Sequence, residues 1–144
     1  MARRVTRAPR QSRGTPARLV LDSGAVIALS RDDINARAVL STAVRRGVPV
    51  LVPSVVVTET VRGSARDASV NRVLAAVGEI VPIDEPLARA AGSLLGSTRS
   101  DAGAVDAIVV ATAGGLGGAV ILTSDPNDLQ RLARDLPSVV IHAL

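Results

Sequence analysis

The chain has 144 residues, 47% of them hydrophobic, and no Phe, Tyr or Trp; one domain with an aliphatic core is expected, and stacking on aromatic rings is excluded as a way of holding nucleic acid. With no Cys and a single His, His142 near the C-terminus, disulfides and a zinc site of thiolates and imidazoles are excluded as well, which leaves hard-metal chemistry on oxygen ligands. The net charge of +4 hides an asymmetry: all 17 basic residues are Arg, six of them (Arg3, Arg4, Arg7, Arg10, Arg13, Arg18) precede Leu19 with no acid among them, and the rest carries 11 Arg against 13 Asp and Glu, a net of −2.

Residues 1–18 are polar, basic and broken by Pro9, Gly14 and Pro16, so a disordered basic arm is expected, followed by a body over 19–144. The arm's composition superficially suits a transit peptide, but the prolines and glycine oppose a helix there. No apolar run approaches the ~20 residues of a membrane span, and no apolar signal-peptide segment is present. The expectation is a cytoplasmic protein with no membrane partner.

From Leu19 onward, short β-branched runs alternate with Ala- and Leu-rich stretches. The runs are Leu19 to Leu21, Val48 to Val52, Ile80 to Ile83, Ala119 to Leu122 and Val139 to Ile141. Apolar on both faces, they suit buried parallel strands. Between them, helices are predicted over Ala25 to Ser30, Asn35 to Arg46, Ser54 to Val61, Ala68 to Val77, Asp84 to Leu95, Ala104 to Ala113 and Asp125 to Asp135. Gly47 and Gly78 stop two of them, and Asp84 with Pro86 starts another. Alternation of this kind gives an α/β fold with right-handed crossovers.

In open parallel sheets, ligands bind beyond the carboxyl ends of the strands. Four acids are candidates for that edge. Asp22 ends the first run and Asp125 follows the fourth, Glu59 lies in the helix after the second, and Asp106 interrupts the apolar stretch Val105 to Val110. Each has an ordinary reading too. Asp22 and Asp125 are both good helix caps, the latter with Pro126 behind it. Glu59 could sit on a wet helix face, and Asp106 could face water at a helix start. Taken together the ordinary readings weaken, because acids gathered at one edge repel one another and a buried charge needs a partner or a metal. A divalent ion would resolve this and could activate water for attack on a phosphodiester.

Four segments carry a resemblance. Leu21-Asp22-Ser23-Gly24-Ala25-Val26-Ile27-Ala28-Leu29 resembles the opening strand and helix of PIN domains. Pro53-Ser54-Val55-Val56-Val57-Thr58-Glu59 resembles their second acidic motif, and Asp101 to Ala111 the third. Thr123-Ser124-Asp125-Pro126-Asn127-Asp128-Leu129 resembles the last, in the form common to VapC toxins. The order and spacing match over residues 19–141. The resemblance implies a three-layer α/β/α fold with a parallel sheet of about five strands. It further implies RNA cleavage dependent on Mg²⁺, with Mn²⁺ as the other choice, homodimers, and inhibition by a cognate antitoxin. By the same resemblance Asp22, Glu59, Asp106 and Asp125 are the metal-binding acids, Ser23 is a polar neighbour, and Asp101 and Asp128 are supporting acids. Apolar surface on Ala36 to Val44 and Val70 to Val77 is the expected place for subunits to pair. The Arg-rich arm departs from the family pattern and is expected to add RNA affinity.

Other strand-end-Asp enzymes fit less well. A haloacid-dehalogenase-type phosphatase needs a second Asp where this chain has Gly24, and a response-regulator receiver needs a Lys, of which there is none. The remaining alternative is a non-catalytic PIN-like module that binds RNA or a protein. Retained carboxylates argue against it, since an RNA-binding surface favours Arg.

Overall fold

The computed structural model describes residues 17–144. The expectation of a disordered arm falls on residues outside that range, apart from its last two. Of these, Arg18 already belongs to the sheet. It pairs with Ala119, and its guanidinium donates to the Leu116 carbonyl at 3.1 Å.

Among the described residues, five strands are interspersed with seven α-helices. They are β1 (Arg18–Leu21), α1 (Ser23–Ser30), α2 (Ile34–Arg45), β2 (Val50–Pro53), α3 (Ser54–Thr60), α4 (Ala68–Ala76), β3 (Glu79–Val81), α5 (Glu85–Thr98), α6 (Ala104–Gly114), β4 (Ala119–Thr123), α7 (Pro126–Leu132) and β5 (Val139–Ala143). A 3₁₀ turn, Ala65–Asp67, precedes α4. All strand pairs are parallel, in the order β3-β2-β1-β4-β5. The helices α1 to α4 pack together and α5 to α7 pack together, so the sheet lies between two helical layers. This is the three-layer α/β/α fold expected.

The strands with the most continuous apolar runs take the middle. In β1, Val20 and Leu21 are fully buried; β2 is buried throughout, and in β4 Ile121 and Leu122 are sealed. Burying each such side chain contributes ~1.5–3 kcal/mol. The third and fifth runs do not become buried strands, because they are the edges of the sheet. Ile80 and Val140 are 39% and 54% exposed. Asp33 caps α2 through the Ala36 amide at 2.9 Å, and Asp84 caps α5 through the Leu87 amide at 2.9 Å. The cap at Asp33 moves the start of α2 ahead of the expected Asn35. Among the described residues no helix is long and apolar enough to cross a membrane.

The strand order has one consequence for function. The chain moves outward from β1 through β2 to β3, then returns past β1 to add β4 and β5. The direction of winding therefore reverses between β1 and β4. At such a switch point the connections leave the carboxyl ends on opposite faces of the sheet, and a crevice opens between them. The residues that follow β1 and β4 into that crevice are Asp22 and Ser124-Asp125.

Candidate active site

Asp22 sits where β1 hands over to α1. Its amide still donates to the Leu122 carbonyl of β4 (3.3 Å), so the residue is held as an extension of the strand. One carboxylate oxygen accepts the Ala25 amide at 2.9 Å and caps α1. The Thr123 hydroxyl lies beside the same carboxyl. Burial nonetheless pushes the Asp22 pKa above its ordinary value of 3.8; the Glu59 charge adds to the rise, while Thr123 and the Ala25 and Gly24 amides oppose it.

Gly24, in the first turn of α1, brings the two strand ends together. A side chain there would have its Cβ 3.1 Å from the Ser124 Cβ and 3.2 Å from the Ser124 amide nitrogen. Those contacts are tighter than ordinary packing, so only glycine lets α1 approach the end of β4 this closely.

Glu59 reaches the same edge from α3. Its carboxylate accepts the Ser23 hydroxyl at 2.5 Å, a short, charge-assisted bond. This tie fixes Glu59 next to the residue that follows Asp22.

Asp106 comes from the first turn of α6, in the opposite helical layer. Its pKa is also raised above 3.8, first by burial and then by the negative charges of Asp128, Asp22, Glu59 and Asp125 in that order. That list gives the composition of the site. Four carboxylates, from the β1–α1 junction, α3 and the start of α7, act on Asp106 of α6 near the switch point between β1 and β4. Asp128, read in the sequence as a supporting acid, is the strongest of the four charges on Asp106. Asp101 is exposed and is not among them.

Asp125 is the first residue after β4. Its amide donates to the Thr123 hydroxyl at 3.0 Å, but its side chain makes no capping bond to α7. The capping role open to Asp22 and Asp125 in the sequence is thus taken up by Asp22 alone. Thr123 was not singled out in the sequence. It is fully buried, with its hydroxyl accepting from Asp125 and lying against Asp22. The only signal for it was its place just before the strand-end Ser-Asp.

The donor set suits a hard divalent cation. Every side chain that meets Asp106 electrostatically is an oxygen ligand, and a cation would relieve the repulsion that raises its pKa. Among the described residues no three His, Cys, Asp or Glu side chains are drawn in tightly enough to grip an ion as they stand. The other four carboxylates act on Asp106 through their charge without forming a closed cage.

The raised and lowered carboxyls fix a pH dependence. Asp22 and Asp106 bind protons more tightly folded than unfolded, so stability without metal rises as pH falls from their raised values towards 3.8. Asp67 works the other way. Its buried carboxylate accepts the amides of Arg62, Gly63 and Ser64, which lower its pKa, and its contribution is lost only as pH falls below 3.8. Metal-free protein should therefore melt at a higher temperature in mild acid than at neutral pH. In an Asp22→Asn/Asp106→Asn double variant that rise should flatten; an undiminished rise would assign it to other groups.

Comparison with known structures agrees with this architecture. A chain in the crystal structure of VapBC2 from Rickettsia felis bound to a promoter DNA fragment superposes with a TM-score of 0.68 at 13% identity, covering 88% of this chain and 98% of that one. A chain in DNA-bound VapBC from Salmonella typhimurium gives 0.61 at 17% identity, with 88% and 98% covered. A chain in VapBC-5 from Mycobacterium tuberculosis, a member of the VapBC family of toxin–antitoxin systems, gives 0.57 at 21%, with 90% and 100% covered. At these identities the likeness is one of fold. A search of curated proteins finds no match. The PIN domain family model matches residues 19–135, which include Asp22, Glu59, Asp106 and Asp125. The chain belongs to the PIN domain family.

Proposed function

We propose that this protein is a metal-dependent endoribonuclease of the VapC type, the toxin of a toxin–antitoxin pair. The observation that carries the proposal is the electrostatic setting of Asp106, whose carboxyl is opposed by Asp128, Asp22, Glu59 and Asp125 across the switch-point crevice. Membership of the PIN family supports a nuclease, and the VapBC complexes that share the fold support a toxin with an antitoxin partner.

In this reading Asp22, Glu59, Asp106 and Asp125 hold one or two Mg²⁺ or Mn²⁺ ions, with Asp128 beside them. When bound, such an ion lowers the pKa of water and neutralises charge building on the phosphate. The chain's own residues set the stage. Asp22 is locked by the α1 cap and Thr123, and Ser23 holds Glu59 in place by its hydrogen bond. Asp125 makes no capping bond, and its charge acts on Asp106. Burial and the neighbouring carboxylates raise the pKa of Asp106 above its ordinary value, an electrostatic load that a bound cation would relieve. Homodimers and a cytoplasmic location belong to the same proposal.

The test is an RNase assay on full-length protein stripped with a chelator. Cleavage should be absent, and should return when Mg²⁺ or Mn²⁺ is added. RNA binding without cleavage under all metals would favour the non-catalytic module instead.

A further inference from the structure

A pocket of about 350 Å³ opens beside the carboxylates, between α1, the start of α2 and the end of β4. Gly24, Ile27, Ala28 and Arg31 line it from one side. Their spacing of three and four residues puts them on one face of α1, while Ala25, Val26 and Leu29 bury the other face in the core. Ser124 and Asp33 complete the lining. The pocket meets the acidic site at its Gly24 end. Gly24 stands two residues after Asp22, and Ser124 directly precedes Asp125. The Ser124 hydroxyl occupies the place that a side chain on Gly24 would take.

Among the described residues that line the pocket, Arg31 is the one cation and Asp33 the one acid. Asp33 spends a carboxylate oxygen on the Ala36 amide as the cap of α2. Arg31 is exposed. Neither its guanidinium nor the Ser124 hydroxyl makes a side-chain hydrogen bond or ion pair among the described residues. Arg131, by contrast, already faces Asp128 at 3.9 Å. Arg31 lies seven residues beyond Gly24, about 10 Å along the helix axis. The charges that act on Asp22 and Asp106 are all carboxylates, so Arg31 does not neutralise the acids.

We propose that this pocket is a phosphate subsite for the RNA substrate, in which Arg31, with the Ser124 hydroxyl, holds a phosphate that flanks the one to be cut. A cation among the acids offsets the charge of the phosphate under attack. The neighbouring phosphates of the same strand have no such partner there and meet the field of the carboxylates. A guanidinium one pocket away answers that need, and its fork matches phosphate oxygens in pairs. Gly24 keeps the passage from the acids to Arg31 open, and Ile27 and Ala28 give it an apolar wall. The proposal rests on the reading of the protein as an RNA-cutting enzyme and names one contact by which it holds the strand.

The experiment uses full-length protein. In chelator at low salt, a fluorescent single-stranded RNA is titrated with wild type, Arg31→Ala, Arg31→Lys, Ser124→Ala and Arg37→Ala. Arg31→Ala should weaken binding roughly tenfold and reduce the slope of log K against log salt by about 0.7. Arg31→Lys keeps the charge without the fork and should recover part of the loss. Ser124→Ala should cost about threefold. Arg37→Ala removes a charge from α2 outside the pocket and should change neither affinity nor slope. With Mg²⁺, Arg31→Ala should raise KM roughly tenfold at nearly unchanged kcat. Neutral methylphosphonates are then placed one at a time along an RNA that wild type cuts at a single site. One position beside the cut should cost wild type about as much as losing Arg31 does, and cost Arg31→Ala nothing further, because the contact is already gone. Unchanged affinity and slope in Arg31→Ala overturn the inference, as does an equal loss in Arg37→Ala, which would mark a general field. Independent losses from Arg31→Ala and every methylphosphonate overturn it too. So does loss of polyglutamate binding with RNA binding intact, which would assign the pocket to an acidic protein segment. If wild type binds RNA through Arg31 yet cuts none with any metal, the nuclease reading fails while the phosphate subsite stands.

Discussion

Asp106→Asn should abolish RNA cleavage and leave a protein slightly more stable than wild type in the absence of metal. The two effects have one cause. Asp106 is partly buried among the charges of Asp128, Asp22, Glu59 and Asp125, and its raised pKa records the strain of ionising there. The amide keeps the shape and removes the charge. Because the side chain is also reached by solvent, the gain is small, about 0.5 kcal/mol after screening, or a rise in Tm of about 2 °C for a domain of this size. The loss of activity is large. A carboxylate that holds a divalent ion supports several kcal/mol of charge stabilisation, so kcat/KM should fall at least about 100-fold. Thermal melts in chelator and cleavage rates in Mg²⁺ on the same samples check both halves. A variant that is inactive and less stable would point to a structural role for Asp106.

Asp125→Asn separates two roles that aspartate plays equally well. As a helix cap, Asn replaces Asp at little cost, so a capping Asp125 would tolerate the change. The side chain makes no capping bond to α7, while its charge acts on Asp106 across the crevice. The expected outcome is an unchanged Tm, within about 0.5 kcal/mol, with cleavage reduced by roughly 100-fold at a fixed Mg²⁺ concentration. Part of that loss should be recovered at higher metal concentration, since a weakened site can still be filled. Wild-type activity at low metal would remove Asp125 from the site.

The central strands were legible because they are buried on both faces. Leu19 to Leu21 and Ala119 to Leu122 are unbroken apolar runs, and an unbroken run is what a parallel strand between two helical layers requires. The edge strands were less so. Glu79 and Val140 meet solvent, and a half-exposed strand need not keep its apolar pattern. Arg18 looked like part of the arm by composition, yet its backbone pairs with Ala119 and its long stem reaches Leu116. Helix ends also shifted. α5 runs on to Thr98 and closes at Arg99, a non-glycine residue in the left-handed region (φ 48°), which no sequence signal marks.

The site divides in the same way. The acids Asp22, Glu59, Asp106 and Asp125 stand out one by one in the sequence because each interrupts or ends an apolar stretch. Their mutual effect does not, since it depends on β1 and β4 being neighbours while α3 and α6 lie in different layers. Thr123 is the clearest case. Its hydroxyl meets Asp22 only once the two strands pair, and nothing about an isolated Thr before Ser-Asp distinguishes it from a loop residue. The choice between capping and function for Asp22 and Asp125 was likewise open in the sequence. The structure shows which carboxylate reaches a helix amide, and that is Asp22, through Ala25, while Asp125 makes no capping bond.

Asp22 is where the account is most exposed, because the carboxylate that caps α1 is also proposed to hold the metal. Asn caps about as well as Asp, so Asp22→Asn should fold, keep α1 and differ from wild type only in charge. The deciding measurement is cleavage of RNA by full-length Asp22→Asn beside wild type, each stripped with chelator and then supplied with Mg²⁺ or Mn²⁺. The account predicts metal-dependent cleavage by wild type and none by the variant, with matching circular dichroism spectra. Equal, metal-dependent cleavage by both would contradict it.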